Sequence, residues 1–285
     1  MADIDVIGPG SVTIGKGSSI GTNVRAIFSA PTRIILGDYV SIGDNTKFII
    51  ENGDVTIDDW STLHNDCSLF SKRGVIIGQH CWFGQSCVID GTGGMTIRNG
   101  VRVGMYSQLW SHVAAGEQIE GCTLFAETPT VLEEDVWLVG TCFVASGVTV
   151  GRRTVALSGS NVTKSCEANS VIAGAPARVR EGVNFYKPIT LREKMALLAG
   201  WLEDFCVLYN LPRGSLTVTD AAIALDAGSD GRIVFHRDDG AVFEGDGRTT
   251  HCCLTSKRYL KAFTPIEHKV LKFLSGNKAR FYRAQ

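Results

Sequence analysis

An aliphatic residue followed by glycine or by a small or acidic residue, with a small residue three positions on, recurs with a period of six along residues 7–162. Ile7-Gly8…Ser11, Ile14-Gly15…Ser18, Ile42-Gly43…Thr46, Ile57-Asp58…Ser61, Ile77-Gly78…Cys81 and Val103-Gly104…Ser107 show it. After a break it resumes at Leu132-Glu133…Val136, Val144-Ala145…Val148 and Val150-Gly151…Thr154. A period of six matches neither an α-helix nor a heptad, and a flat alternating sheet would repeat every two residues. The period predicts short strands separated by tight turns and stacked coil on coil, with the aliphatic residues in one interior column. Glycine is expected to supply the unusual backbone angles of the turns. Cys67, Cys81, Cys87 and Cys142 read as small apolar fillers of that column.

Composition divides the chain near residue 185. Of the 32 glycines, 24 precede that point, and residues 1–184 carry 13 Lys/Arg against 18 Asp/Glu. Residues 185–285 reverse the balance with 15 against 11. The net charge of −1 gives no nucleic-acid footprint. Nine cysteines without CxxC spacing signal neither a disulfide framework nor a zinc cluster. MADIDVIGPG has no basic or apolar region of a secretory signal, and no spanning helix is expected, so a cytoplasmic location is the simplest expectation.

Residues 131–180 hold the most specific motif. DVWLVG at 135–140, ASGVTVG at 145–151 and SGSNVTKSCEANSVIAGAPARVR at 158–180 resemble the terminal coils of the hexapeptide-repeat acetyltransferases. That family follows the order NVWIG, PGVTIG, GAGSVVTKD, NSVVAGNPA and a basic ending. Within it, the stretch LFAETPTVLEEDVWLVG leans toward the surface-polysaccharide O-acetyltransferases. The resemblance implies a mainly β fold, a left-handed parallel β-helix of hexapeptide repeats over residues 1–184, followed by a C-terminal α+β extension over 185–285 of unknown role. It also implies a homotrimer with sites between subunits, acetyl-CoA as donor and no metal.

The same resemblance assigns Trp137 to the cofactor groove. Ser158 and Gly159, with Ser160, are small enough for a pantetheine arm to lie against the coil edge. Lys164, with Thr163 beside it, and Arg178 and Arg180 are placed to meet the phosphates of coenzyme A. The spacing of the two arginines is one residue shorter than in the family pattern.

His112, in LWSHVAAGEQ, precedes Trp137 by almost the separation between the essential His and this Trp in the resembling enzymes. It also stands at the edge of the longest break in the repeat, the loop 113–128. A thioester is already activated, so the main requirement is a base for the acceptor proton, and imidazole suits that role near neutral pH. Gln85 and Asp90, on the preceding coil, are candidates to bond acceptor hydroxyls. Glu117 and Glu127 are further candidates to orient the imidazole.

The expected activity is therefore transfer of an acetyl group from acetyl-CoA to a sugar hydroxyl of a surface polysaccharide or its precursor. N-acetylation of an amino-sugar nucleotide is the alternative acceptor chemistry, and a non-catalytic β-helix scaffold is the alternative class. A zinc site like that of the γ-class carbonic anhydrases would need a third ligand beyond His80 and His112. His64 lacks suitable spacing and position 117 is Glu.

Beyond residue 185, apolar steps of three and four over 188–210 predict an amphipathic helix. Residues 215–226 and 231–244, with an HRDDG turn, predict strands. Residues 264–275 predict a final helix with Thr264 as N-cap and Pro265 at its first position. The basic, aromatic tail from Lys257 offers contact with a lipid-linked acceptor or an anionic membrane surface, or else a solvated face over a small core.

Overall fold

The structure is a computed structural model that describes residues 3–238 and 246–283. The chain divides into two compact units, Met1–Tyr186 and Lys187–Gln285.

In the first unit short parallel strands wind into a three-sided coil. Its faces hold eight, seven and nine strands among the described residues. The first face runs from Asp5–Ile7 to Asn161–Val162, the second from Ser11–Ile14 to Thr149–Val150, and the third from Ser19–Ile20 to Val171–Ala173 and the returning Arg178–Val179. Interior columns form because each strand pairs in register with the one a coil later. Phe83 pairs with Val103 and Val103 with Leu138. All three are fully buried. Cys67, Cys81, Cys87 and Cys142 lie buried at the corners of this core. The thiols of Cys67 and Cys87 donate to the carbonyls of Gly84 and Gly104.

The period is less strict than the sequence suggests. Ser68 pairs with Val88 and Val88 with Gln108, so those coils run longer than three hexapeptides. The coil that pairs Arg25 with Lys47 is longer still. Coils of three exact hexapeptides appear only after the insertion, where Trp137 pairs with Val155 and Phe143 with Asn161. Spacing is constant along the other two edges, as from Ile57 to Thr62 and Ile97 to Arg102, or from Leu63 to Ser68 and Val103 to Gln108. The variation therefore enters at the edge between the first and second faces.

Two expectations need correction. Ile7 and Ile14 do not join the interior column: Ile7, 46% exposed, stands in register with the outward-facing Ile27 and Ile49, and Ile14, 42% exposed, lies on the first coil, with none beneath it among the described residues. The turn positions with positive φ are shared between glycines, such as Gly17, Gly100 and Gly147, and other residues, among them Asn23, Asn45, Asp66, Tyr39, Trp60 and His80. Asn23 donates to Asn45 and Asn45 to Asp66 along one corner, which helps such residues tolerate that geometry. Many repeat glycines instead serve close approach. A Cβ on Gly43 would sit 2.5 Å from the Asn65 backbone nitrogen of the next coil.

The second unit has a six-stranded mixed sheet in chain order, from Leu216–Val218 to Tyr282–Arg283, and two helices. Helix α1 (Leu191–Leu208) begins at a capping box between Thr190 and Glu193 and buries Leu198, Leu202 and Phe205. Helix α2 (Pro265–Ser275) starts at Thr264 and Pro265, as the sequence predicts. The predicted strand 231–244 is Arg232–His236; residues 239–245, which include the end of the HRDDG turn, lie outside the described residues. The tail is not a free basic segment. Arg258–Leu260 and Tyr282–Arg283 are sheet strands, Tyr259 and Phe281 are buried, and Lys257 covers the Phe281 ring at 4.1 Å. Those aromatics are core, not membrane contacts.

Candidate active site

Asp90 lies near the end of the first-face strand Val88–Gly91, opposite Phe70 in register. The insertion folds back over it as an antiparallel hairpin, His112–Ala114 with Phe125–Glu127, so the carboxylate is only 1% exposed. One oxygen, Oδ2, accepts from the Ser111 amide at 2.9 Å, from the Ser111 hydroxyl at 2.9 Å and from His112 Nδ1 at 2.8 Å. The other accepts from the Thr92 hydroxyl at 2.6 Å. Burial pushes this carboxyl up, but the hydrogen bonds from Thr92, His112 and Ser111 outweigh it and hold it below the usual carboxylate range.

An ionised carboxylate can only accept, so Nδ1 of His112 carries the shared proton. In a neutral imidazole that leaves Nε2 with the lone pair. Among the described residues Nε2 has no hydrogen-bond partner, and the side chain is 35% exposed. Trp110 stands edge-on to the imidazole at 5.5 Å, its indole held by Gln108 at 3.1 Å. A buried acceptor that fixes the tautomer and an exposed ring nitrogen are what a general base requires.

The sequence reading placed Asp90 among acceptor ligands; its oxygens are instead engaged inside the fold, beneath the histidine. Glu127 does not orient the imidazole. It faces Lys72 Nζ at 2.7 Å and Arg73 Nη2 at 3.0 Å, and these bonds lower its pKa while raising that of Lys72. Glu117 is exposed near the hairpin tip. Gln85 is exposed on the third–first edge, across the first face from Asp90, so the two do not converge. Ser111, Thr92 and Trp110 escaped sequence reasoning, which has no spacing rule for partners one coil apart.

The residues assigned to the donor divide between two edges of the coil. Ser158 and Gly159 occupy the third–first edge, where the Ser158 hydroxyl lies 3.4 Å from that of Thr141. Gly159 has positive φ, and a Cβ there would meet nothing within 4 Å, so the edge is open. Trp137 points outward from the third face and is 45% exposed. Thr163 and Lys164 occupy the first–second edge, two coils beyond His112, or about 10 Å along the stack. Lys164 and Arg178 line one hollow of about 340 Å³ over Val162 and Ile172. Arg180 is exposed and does not line it. Asn161, also missed in the sequence, presents a buried Oδ1 with no hydrogen-bond partner.

The three histidines weighed for zinc lie on three different edges. His80 stacks on Trp60, His64 meets Trp82 edge-on, and His112 bonds Asp90. Among the described residues no group of three or more His, Cys, Asp or Glu is placed to hold a metal.

No family model matches the chain. Over 166 residues it is 30% identical to a protein of Escherichia coli strain K12 named as a colanic acid biosynthesis acetyltransferase, WcaF, a match covering 58% of this chain and 66% of that relative, just under two thirds of its length. Over this stretch the chain is similar to the hexapeptide-repeat acetyltransferases. A shorter stretch of 74 residues is 31% identical to a tetrahydropyridine-dicarboxylate N-acetyltransferase of Clostridium perfringens strain SM101, covering 26% of this chain and 31% of the relative. Among solved structures, the polysialic-acid-specific acetyltransferase NeuO aligns with a TM-score of 0.56 at 20% identity, over 73% of this chain and 96% of that one. The hexapeptide-repeat architecture is the left-handed parallel β-helix, and the three-sided coil described above is that fold.

Proposed function

We propose that this hexapeptide-repeat protein transfers an acetyl group from acetyl-CoA to a hydroxyl of a sugar acceptor, a surface polysaccharide or its precursor. The observation that carries the reading is the Asp90–His112 pair at 2.8 Å, with Nε2 of the imidazole unpartnered among the described residues. In this mechanism Nε2 removes the acceptor proton as the oxygen attacks the thioester carbonyl. The carbon–sulfur bond then breaks and the coenzyme A thiolate departs. Asp90 holds the ring in the productive tautomer and stabilises the imidazolium that forms. The open edge at Gly159, the orphaned Asn161 Oδ1 and the Lys164–Arg178 hollow fit an amide-bearing arm with phosphates. Trp137 flanks that arm, and Arg180 adds charge where the coil ends.

A single chain leaves His112 and the open Ser158–Gly159 stretch on different edges of the coil, which supports a homotrimer in which one subunit's His112 faces another's Ser158–Gly159 edge. Gln85, on that donor edge, then contacts acceptor hydroxyls supplied to the neighbouring histidine. No helix among the described residues is long and apolar enough to cross a membrane. The proposed setting is the cytoplasm, where acetyl-CoA is available. The test is release of free thiol from acetyl-CoA with a panel of sugar acceptors, beside calorimetry of coenzyme A binding. Acceptor-dependent thiol release that His112→Ala abolishes supports the reading. Absence of coenzyme binding at millimolar concentration would leave a scaffold role instead.

A further inference from the structure

The C-terminal unit carries a hollow that acetyl transfer does not use. It measures about 450 Å³ and lies between α1 and the ends of the sheet strands. On the helix side its wall is the stripe Arg192, Met195, Ala196, Ala199, an i, i+3, i+4, i+7 series on one face. The two alanines make the space, because any longer side chain at those positions would fill it. Val218, at the end of its strand, faces Met195 across the opening, and Asp220 and Arg237 complete the rim.

The rim is unusual in its charges. Neither Arg192 nor Arg237 has an ion-pair partner among the described residues, although Asp220 lines the same opening. Two guanidinium groups, one from the helix and one from the sheet, thus border a hollow with an apolar lining of Met195, Val218 and alanine. Guanidinium pairs match the oxygens of phosphate, a carboxylate accepts from hydroxyls, and an apolar slot admits the face of a flat ring. We infer that this hollow binds a nucleoside diphosphate. The phosphates lie between Arg192 and Arg237, the ribose hydroxyls donate to Asp220, and the base lies against Met195 and Val218. A simple sugar phosphate would satisfy the arginines but leave the apolar wall uncovered. The inference stands on the second unit alone and does not depend on the acetyl-transfer reading.

Titration calorimetry of the full chain with UDP, glucose 1-phosphate and inorganic phosphate tests it. UDP is expected to bind saturably, and R192Q/R237Q to weaken it by ~10-fold or more. Ala199→Phe, which keeps both cations but fills the slot, is expected to abolish it, while Lys164→Ala leaves it unchanged. Circular dichroism of each variant checks that the unit is folded. UDP binding that ignores both changes in the hollow, or that disappears in Lys164→Ala, overturns the inference. So does the absence of UDP binding at millimolar concentration. Glucose 1-phosphate or phosphate binding as tightly as UDP overturns the nucleoside assignment.

Discussion

The Asp90 carboxylate sits 2.8 Å from Nδ1 of His112, one coil below it, and Ser111 closes the same oxygen from the side. Removing the base should therefore differ from removing its support. His112→Ala is expected to lower turnover by ~10²–10⁴-fold. Asp90→Asn, which offers a donor where an acceptor is needed, is expected to lower it by ~10²-fold or more through the wrong tautomer. Both should leave coenzyme A affinity within about twofold, as read by steady-state kinetics and calorimetry, since neither residue lies in the donor set. An unchanged rate in His112→Ala removes the assignment of the base.

Glu127 ties the hairpin to the coil through Lys72 and Arg73. Both cations are partly exposed, so Glu127→Gln should leave global stability almost unchanged. Its local effect should be larger. Amide hydrogen exchange across Val113–Ala126 is expected to rise, and turnover to fall severalfold, while the Asp90 network stays protected. Unchanged exchange in the hairpin would mean that the ion pairs do not hold it.

Glycine in the coils acts mainly through space, which separates two kinds of substitution. Gly43→Ala forces a Cβ against the Asn65 nitrogen at 2.5 Å. It is expected to cost about 1–3 kcal/mol by denaturant unfolding. Gly159→Ala meets no neighbour within 4 Å and carries only the strain of a positive φ. A cost of about 1–2 kcal/mol is expected there. Equal tolerance of alanine at Gly43 and at a solvent-exposed control glycine without positive φ, such as Gly276, would contradict the close-approach argument.

Glu267, on α2, is fully buried and accepts from the Thr250 hydroxyl at 2.6 Å and from the amides of Ala262 and Phe263 at 2.6 and 3.0 Å. Glu267→Leu strands those donors in the core and should destabilise the second unit by about 3 kcal/mol or more. Glu267→Gln keeps one acceptor oxygen and should cost less. The comparison is made on the denaturant midpoint.

His236 and His251 stack with Nε2 and Nδ1 3.0 Å apart. Burial lowers both pKa values. The charge of His251 lowers His236 further against Asp238, and Arg232 lowers His251 against Asp246. The folded unit therefore binds fewer protons than the unfolded chain between those lowered values and ~6.5. Its stability is complete above ~6.5 and falls as pH drops through that window. Asp246 works in the same direction at lower pH. Backbone and hydroxyl hydrogen bonds from Arg248 and Thr249 hold it at about 2. Its contribution persists above ~4 and is lost only as pH falls through about 2. The protection factors of the Thr249–Cys253 amides, which take exchange relative to the intrinsic rate at each pH, should fall from pH 8 to 5 in the native chain and stay flatter in His236→Asn/His251→Asn. Equal slopes would remove the pair as the cause.

Much of the coil was legible in the sequence because its aliphatic columns obey a rule between neighbours in sequence. Ile42, Ile57, Ile77 and Val103 could be placed inside before any coordinates. The same rule failed at Ile7, which faces outward in register with Ile27, and at Ile14, below which no coil stacks among the described residues. His112 could be placed at the break in the repeat and Asp90 on the coil before it, but the hydrogen bond between them could not be read, because it depends on contact across a coil and on the hairpin folding over it. In the second unit the cap at Thr264 followed from local chemistry. The strand Thr249–Cys253 did not, since it gains its place only by pairing with Arg232–His236.

All variation in coil length enters at the first–second edge, and the histidine stands on that edge. The other two edges keep a fixed spacing from strand to strand, so any residue gained or lost there would throw every later column out of phase. Descent can therefore lengthen, shorten or exchange the hairpin after Ser111 while the stack and the far edge stay as they are. Such a protein can rebuild the cover over Asp90 without disturbing the open edge at Ser158 and Gly159.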